Sequence, residues 1–366
     1  MSSTRRDLLR NSLLTAVAAA SPAPATATKL GLPGPFPGRV VAVHHPGCIV
    51  SDAYQAQPIA GMMRKGMAEL TGAPGWVDAW RMFFEPGDVV ALKVSPVGGR
   101  RLCSDGLVLN QVIDGLKQAG VRPRDIVVYN RYRREMYDAG IAQWAPEGVR
   151  IAWASEAYTR IQHDMEGYDP DVFMDMALVL PGEDVTDDHM RRSYVTRVLT
   201  KQVNKVVNLP TLKHHDASGV TVTLKNMSHG FVNNVERTHA TRTLLATGTF
   251  IPAVVNLPVF RQKMVLHIVD GVKALYNGGP GARPQFIWEH KTMYFGTDPV
   301  ALDKIGWKVV DEKRAELGLA PVAFEKADRA NRFSNPQVEH IELAGILGLG
   351  EFDDKKIEVR RFDLAP

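Results

Sequence analysis

Six short apolar runs, separated by amphipathic stretches, constrain this chain more than any other feature. Residues 39–45, 88–94, 125–130, 149–154, 205–209 and 264–270 are rich in aliphatic side chains and read as strands. Several are apolar at both alternating positions, the pattern of strands covered by helices on both faces of a largely parallel sheet. Between them, Leu107, Val108, Val112, Ile113, Leu116 and Ala119 recur at helical spacing, with Ser104 as N-cap and Gly120 as stop. Residues 299–317 and 336–347 also read as helices, each opened by a proline whose missing N–H costs nothing in the first turn. The expectation is an α/β fold with a mixed or mostly parallel sheet covered by helices. At 366 residues and 45% hydrophobic content, one large domain and two lobes both fit.

The N-terminus follows a different pattern. Thr4-Arg5-Arg6-Asp7-Leu8-Leu9-Arg10 sets paired arginines ahead of a modestly apolar run, 13–20, and a Pro/Ala/Thr segment, 21–28. Residues 1–27 resemble a twin-arginine signal, with Ala18-Ala19-Ala20 or Ala25-Thr26-Ala27 as cleavage sites. A Gly/Pro-rich linker, 28–38, and an α/β domain, 39–366, come next. The expected location is the periplasm or another extracytoplasmic compartment, reached in the folded state through the twin-arginine export machinery. Beyond residue 27 no run of 18 uncharged apolar residues occurs, so the mature chain is not expected to be an integral membrane protein.

Arg5, Arg6 and Arg10 against Asp7 account for half of the formal charge of +4, and the remainder is too weak to argue for nucleic acid. The cluster Arg131, Arg133 and Arg134, with Tyr132 and Tyr137 interleaved, reads either as a solvated helix face or as an anion contact. Cys48 and Cys103 are the two cysteines, which excludes a four-cysteine zinc or iron–sulfur site. A disulfide and two buried thiols both fit, because a chain folded in a reducing cytoplasm does not depend on that bond to fold.

The densest polar information lies in residues 208–226, directly after an apolar strand, and ligands gather beyond the carboxyl ends of parallel strands. If 213–215 is extended, Lys213 and His215 share one face and His214 points the other way. The next piece is ambiguous: Val220, Val222 and Leu224 alternate with Thr221, Thr223 and Lys225 as in a strand, yet Gly219 also suits the approach to a helix. Thr221 and Lys225, four apart, fall on one face in either geometry. Two lysines and a histidine held together would bind a carboxylate or phosphate, and mutual repulsion would lower a lysine pKa towards a catalytic value.

The run 208–226 resembles the signature of the domain of unknown function 362 family: a lysine-any-histidine element, a Thr/Gly/Val stretch, then Lys-Asn. Here these fall on Lys213 and His215, Gly219 and Thr221, and Lys225 and Asn226. Leu92-Lys93-Val94, Val269-Asp270-Gly271, Gly278-Gly279-Pro280-Gly281 and Asp298-Pro299-Val300-Ala301-Leu302-Asp303 match further elements, so the resemblance runs over residues 40–350. Ser95 stands where the family pattern has asparagine, and the ferredoxin-type cysteine cluster attached to many relatives is missing, so no built-in iron–sulfur cluster is expected. More distantly, the layout is similar to that of the lactate racemase family, whose two α/β lobes enclose histidines and lysines around a nickel-bearing cofactor. That resemblance makes a transition metal one option for an otherwise unknown cofactor.

Residues 264–269 form a nearly all-apolar strand ending at Asp270-Gly271, which is expected to deliver a carboxylate to the sheet edge with Lys273 just beyond. Gly278, Gly279 and Gly281 read as an ordinary loop or as a turn whose backbone N–H groups approach an anion. Six of the eleven histidines lie within 214–290, and His44-His45 end the first strand, but none forms a close-spaced metal motif. His267, between Leu266 and Ile268, reads as a hydrogen-bonded core residue, and Asp298 as a helix N-cap. No Gly-any-Ser-any-Gly elbow, Walker loop or dinucleotide fingerprint occurs in a strand-to-helix context, which removes most support for the common hydrolase, nucleotide and dehydrogenase classes.

The expected site therefore has His215 as proton-transferring base or metal ligand, Lys213 and Lys225 holding an anion, and Asp270 orienting a base or ligating a metal. Thr221, Asn226, Lys273 and Gly279 are expected to contact the anion. The expected function is an exported enzyme acting on a small anionic substrate by racemase- or isomerase-like proton transfer, with a metal or cofactor as an option. The competing expectation is a non-catalytic periplasmic protein that binds a metal or small anion.

Overall fold

The computed structural model describes residues 30–159, 162, 164–179, 182–239, 246–326 and 335–366; the twin-arginine expectation for residues 1–27 lies outside them. The described strands are β1 (Arg39–His44), β2 (Ile49–Val50), β3 (Ala53–Tyr54), β4 (Val90–Lys93), β5 (Ile126–Tyr129), β6 (Arg150–Ala152) and β7 (Tyr168–Asp175). They continue with β8 (Arg192–Thr196), β9 (Lys205–Asn208), β10 (Thr211–His215), β11 (Gly219–Thr221), β12 (Met264–Leu275), β13 (Ile287–Gly296) and β14 (Glu358–Asp363). The main sheet runs β14-β1-β13-β12-β9-β4-β5-β6, with β10 and β11 attached through β12; β2–β3 and β7–β8 form separate two-stranded ribbons. Pairing is parallel for β1–β14 and throughout β12–β9–β4–β5–β6 and β10–β12, and antiparallel for β1–β13, β12–β13 and β10–β11. The fold is thus α/β with a mixed, mostly parallel sheet, as the apolar runs imply.

Side-chain alternation sends successive residues of each central strand into two different cores. Ala91, Val127 and Val206 enter one, together with helices Thr223–Phe231, Thr247–Val255, Pro299–Glu316 and Glu339–Ile346. Val90, Leu92, Ile126, Val128 and Val207 enter the other, with helices Ala56–Thr71 and Gly106–Gln118. Strands buried on both faces are the reason the sequence shows continuous apolar runs there and not alternation.

Four features depart from the sequence reading by more than a residue or two at an element end or by the group involved, each for a local reason. Asp105, not Ser104, caps Gly106–Gln118 by accepting from Leu107 N at 2.8 Å; Ser104 Oγ instead donates to the Leu209 carbonyl at 2.6 Å. The last helix begins at Glu339, because Gln337 N bonds the Ala217 carbonyl at 3.1 Å and holds the preceding segment out of the helix. The described part of the expected linker is packed against the body: Leu32 is buried, and Gly38 N donates to Asp298 at 2.8 Å. Finally, β12 continues through Gly271 to Leu275, so Asp270 is internal to a central strand and not at its end. Gly271 permits this, since a Cβ there would lie 2.6 Å from the Thr292 carbonyl oxygen.

Candidate functional site

The carboxyl ends of three neighbouring parallel strands meet at one level, where Lys93 of β4 is in register with Tyr129 of β5 and Asn208 of β9. From Asn208 the chain passes through Leu209-Pro210 into β10, which pairs with the far half of β12 (Thr211 with Asp270, Lys213 with Leu275). It then reverses into β11 at Gly219, whose φ of +76° and 2.1 Å approach of Val338 to a hypothetical Cβ both require glycine. Helix Thr223–Phe231 starts directly afterwards, its first N–H groups taken by the buried Asp303 carboxylate (Thr223 N 2.7 Å, Leu224 N 3.3 Å). The ambiguous stretch is therefore strand up to Thr221 and helix from Thr223. These pieces, with the loops after β5 and β12, wall a cavity of 680 Å³, within the range of small-molecule sites.

Lys213, His215, Thr221, Lys225, Asn226 and Gly279 all line this cavity. Asp270 and Lys273 do not. Asp270 is occupied by Tyr54 Oη (3.0 Å), Asp105 N (3.1 Å) and Val272 N (3.2 Å), and Lys273 pairs with Asp52 at 3.3 Å over the Tyr54 ring. Both corrections follow from β12 running on past Asp270. Gly279 lines the cavity through a different role from the one expected. Its N–H is taken by His214 Nδ1 at 3.3 Å, and a Cβ would lie 1.8 Å from the His214 carbonyl oxygen, so the glycine serves close packing. His214 does point away from Lys213 and His215; its Nε2 donates to Glu325 at 2.9 Å.

Lys93, Asn130, Arg131, His229 and His239 also line the cavity and were missing from the expected site. A lysine closing an apolar strand was the signal for Lys93. For His229 it was the four-residue spacing from Lys225 along one helix face. Arg131, just beyond β5, turns inward and donates to the Val232 carbonyl at 3.1 Å, whereas Arg133 pairs with Glu156 at the surface.

The three lysines are buried but differently satisfied. Lys93 Nζ donates to the Val94 carbonyl (2.5 Å), Asn130 Oδ1 (3.1 Å) and Asn226 Oδ1 (3.2 Å), three acceptors for three ammonium hydrogens. Lys213 Nζ donates to Ser95 Oγ at 3.2 Å, so the residue that departs from the family pattern supports a cavity lysine. Lys225 Nζ has no hydrogen-bond partner among the described residues. Burial pulls the pKa of Lys213 down to about 8 and that of Lys225 to about 7, the latter aided by the charges of Arg131 and Lys213. Lys93 is likewise drawn to about 7, chiefly by burial. Thr221 Oγ1 is buried without a partner among the described residues.

Hydrogen-bond partners fix the histidine tautomers. The backbone N–H groups of Ala217 (3.0 Å) and Ser218 (3.3 Å) donate to His215 Nδ1, so the ring proton sits on Nε2. Burial, then the charge of Lys225, keeps His215 neutral by holding its pKa well below the usual value. Its Nε2 is consequently a hydrogen-bond donor, which corrects the expected roles of base and metal ligand. His239 is the opposite case: Nδ1 lies 3.3 Å from the Val235 carbonyl and 2.8 Å from Thr238 Oγ1, whose own proton goes to Val235. Nδ1 therefore carries the proton and Nε2 the lone pair. In His229, Nδ1 donates to Ser228 Oγ at 3.1 Å, again leaving the lone pair on Nε2, which is buried and has no partner among the described residues.

These residues do not make a cation site. No group of three or more His, Cys, Asp or Glu side chains among the described residues is placed to hold a metal ion. The lone pair His215 would need for a metal is opposed by two backbone N–H groups. His267 packs in the core beside Asn208 at 3.3 Å, His290 bonds Tyr294 Oη at 2.5 Å, and His44 pairs with Asp363. Cys48 and Cys103 are free and buried, and burial pushes both thiols up to about 12, so they are inert. No helix among the described residues is long and apolar enough to cross a membrane.

Among solved structures, the lactate racemase apoprotein from Thermoanaerobacterium thermosaccharolyticum aligns over 69% of this chain and 55% of its own, at 11% identity and a TM-score of 0.37. A protein from Thermotoga maritima aligns over 74% of this chain and 60% of its own, at 12% identity and a TM-score of 0.40. The chain thus spans less than two thirds of either structure. No curated protein matches it. The model of one family, described as Domain of unknown function (DUF362), matches residues 102–308, more than half of the chain and the whole β9-to-β12 part of the cavity, and the chain belongs to that family.

Proposed function

We propose that the protein is an enzyme that binds a small carboxylate in this cavity and moves a proton on a carbon close to it, a racemase- or isomerase-like reaction. Lys225 carries the reading: a buried amine that reaches a cation-rich cavity, has no hydrogen-bonded partner among the described residues, and is neutral just above its pKa of about 7. Lys213, charged up to about pH 8, holds the carboxylate with Arg131. The Nε2–H of His215 and the unpartnered Thr221 hydroxyl donate to substrate oxygens, where low dielectric strengthens each contact. Lys225 and the Nε2 lone pair of His229 supply acceptors for the moving proton. No step is routed through a metal, because the donor set does not fit one.

The test is incubation of the full chain in D₂O with a panel of 2-hydroxy and 2-oxo carboxylates, read by proton NMR. The expected result is loss of a C–H signal from at least one member, abolished in Lys225→Met. Carboxylate binding without exchange anywhere in the panel would leave a non-catalytic anion-binding protein and overturn the enzymatic reading.

We also propose twin-arginine export to the periplasm, supported by Thr4-Arg5-Arg6-Asp7-Leu8-Leu9-Arg10 and the small residues after it. Cell fractionation of a chain carrying Arg5→Lys and Arg6→Lys should show it retained in the cytoplasm; unchanged export would contradict the signal.

A further inference from the structure

Hydrogen bonding separates Lys225 from the other two cavity lysines. Lys93 Nζ is saturated by three acceptors and Lys213 Nζ is tied to Ser95, whereas Lys225 Nζ meets the cavity with no acceptor among the described residues. Beside it, His215 carries an Nε2–H, and the buried hydroxyl of the cavity-lining Thr221 has no partner among the described residues. An amine with an available lone pair, next to fixed donors and a cationic anchor, suits attack on a carbonyl. Resting on the carboxylate-binding reading above, we propose that Lys225 is a nucleophile that forms an imine with a molecule carrying a 2-oxo carboxylate group.

The Nζ lone pair attacks the carbonyl carbon, a C–N bond forms, and the carbonyl π electrons move to oxygen, which receives hydrogen bonds from His215 Nε2–H and Thr221. One proton passes from nitrogen to that oxygen to give the carbinolamine. A second, from solvent, lets the oxygen leave as water and the iminium remains. No oxidant, reductant or further substrate is consumed. A carboxylate alone offers an amine no electrophile, but a 2-oxo group places one a single bond from the anion that Lys213 and Arg131 anchor. The iminium draws electrons from the neighbouring carbon, so that the Nε2 lone pair of His229 removes its proton. The covalent step thereby supplies the C–H acidity that proton transfer requires.

The experiment incubates full-length protein at about pH 8 with pyruvate, the smallest member of the class, and sodium cyanoborohydride, followed by peptide mapping by mass spectrometry. Calorimetric titrations with pyruvate and with lactate, which lacks the carbonyl, run in parallel. The expected result is one reduced adduct on Lys225, roughly tenfold or more above any other lysine, suppressed by excess lactate and absent from Lys225→Arg. Circular dichroism and thermal unfolding of Lys225→Arg that match the parent chain show that the loss is not a folding failure. Pyruvate and lactate binding with no adduct, or an adduct elsewhere, overturns the imine and leaves the carboxylate reading standing. Absence of both binding and adduct overturns both.

Discussion

Asp298 and Lys225 are both buried ionisable groups at the start of a helix, and the fold treats them in opposite ways. Asp298 caps Pro299–Glu316 with one oxygen, accepting from Val300 N and Ala301 N at 2.9 Å, and ties in Gly38 N and Glu351 N with the other at 2.8 Å. Lys225, in the first turn of Thr223–Phe231, has no acceptor among the described residues and lies near two further cations. A satisfied buried charge fastens segments together. An unsatisfied one lowers stability and persists where an incoming molecule completes it. Both belong to strongly matched sequence elements, so motif strength does not separate structural from functional groups; hydrogen-bond saturation does.

The contrast can be broken most severely at the satisfied group. Asp298→Ala should cost roughly 3 kcal/mol of stability in chemical denaturation, since it removes a cap and leaves four donors without their acceptor. Carboxylate affinity should stay unchanged at temperatures where the variant is folded. Lys213→Met should weaken lactate binding about 100-fold in calorimetry, through loss of the charged contact. Lys225→Met should move stability the other way, raising it by about 1 kcal/mol while abolishing deuterium exchange and leaving lactate affinity within a few-fold. Destabilisation by Lys225→Met would place that side chain with the structural charges.

Three smaller effects sharpen the comparison. Exchange requires neutral Lys225 and charged Lys213, so its pH profile should rise through about 7, fall above about 8, and lose its acidic limb in no variant that spares Lys225. Stability carries a matching signature. Lys93, Lys213 and Lys225 titrate below their ordinary 10.5 when folded, so the unfolded chain binds more protons from about 7 up to 10.5. Stability contributed by these groups therefore rises with pH across that window, and the slope should be shallower in Lys225→Met. Ser95→Ala should weaken lactate binding by about 1 kcal/mol, because Lys213 loses the Ser95 hydroxyl that positions its Nζ.

The sheet was legible because strands covered on both faces write themselves as unbroken apolar runs, and each of the six runs is a strand of the main sheet. The cavity was legible at Lys213, His215, Thr221, Lys225 and Asn226, which lie on one hairpin and the helix it feeds. Asp270 misled because an apolar run followed by Asp-Gly resembles a strand end, and nothing local reveals that Gly271 admits the Thr292 carbonyl and lets the strand continue. His215 misled for a similar reason: residue type suggests a base, but its tautomer is set by the Ala217 and Ser218 N–H groups, which only the turn geometry places beneath Nδ1. Arg131 comes from a loop whose inward direction depends on the Val232 carbonyl, far away in sequence, whereas His239 is held by its neighbours Val235 and Thr238 in a turn that the sequence does not announce.

The central claim is that one accessible cavity holds a carboxylate on Lys213, an amine depleted of protons by burial. Calorimetric titration with lactate at about pH 8.5, in two buffers of different ionisation enthalpy, measures this directly. Uptake of a fraction of a proton on binding, lost in Lys213→Met, is the predicted result. Binding with no proton uptake, or with uptake that survives Lys213→Met, would contradict it.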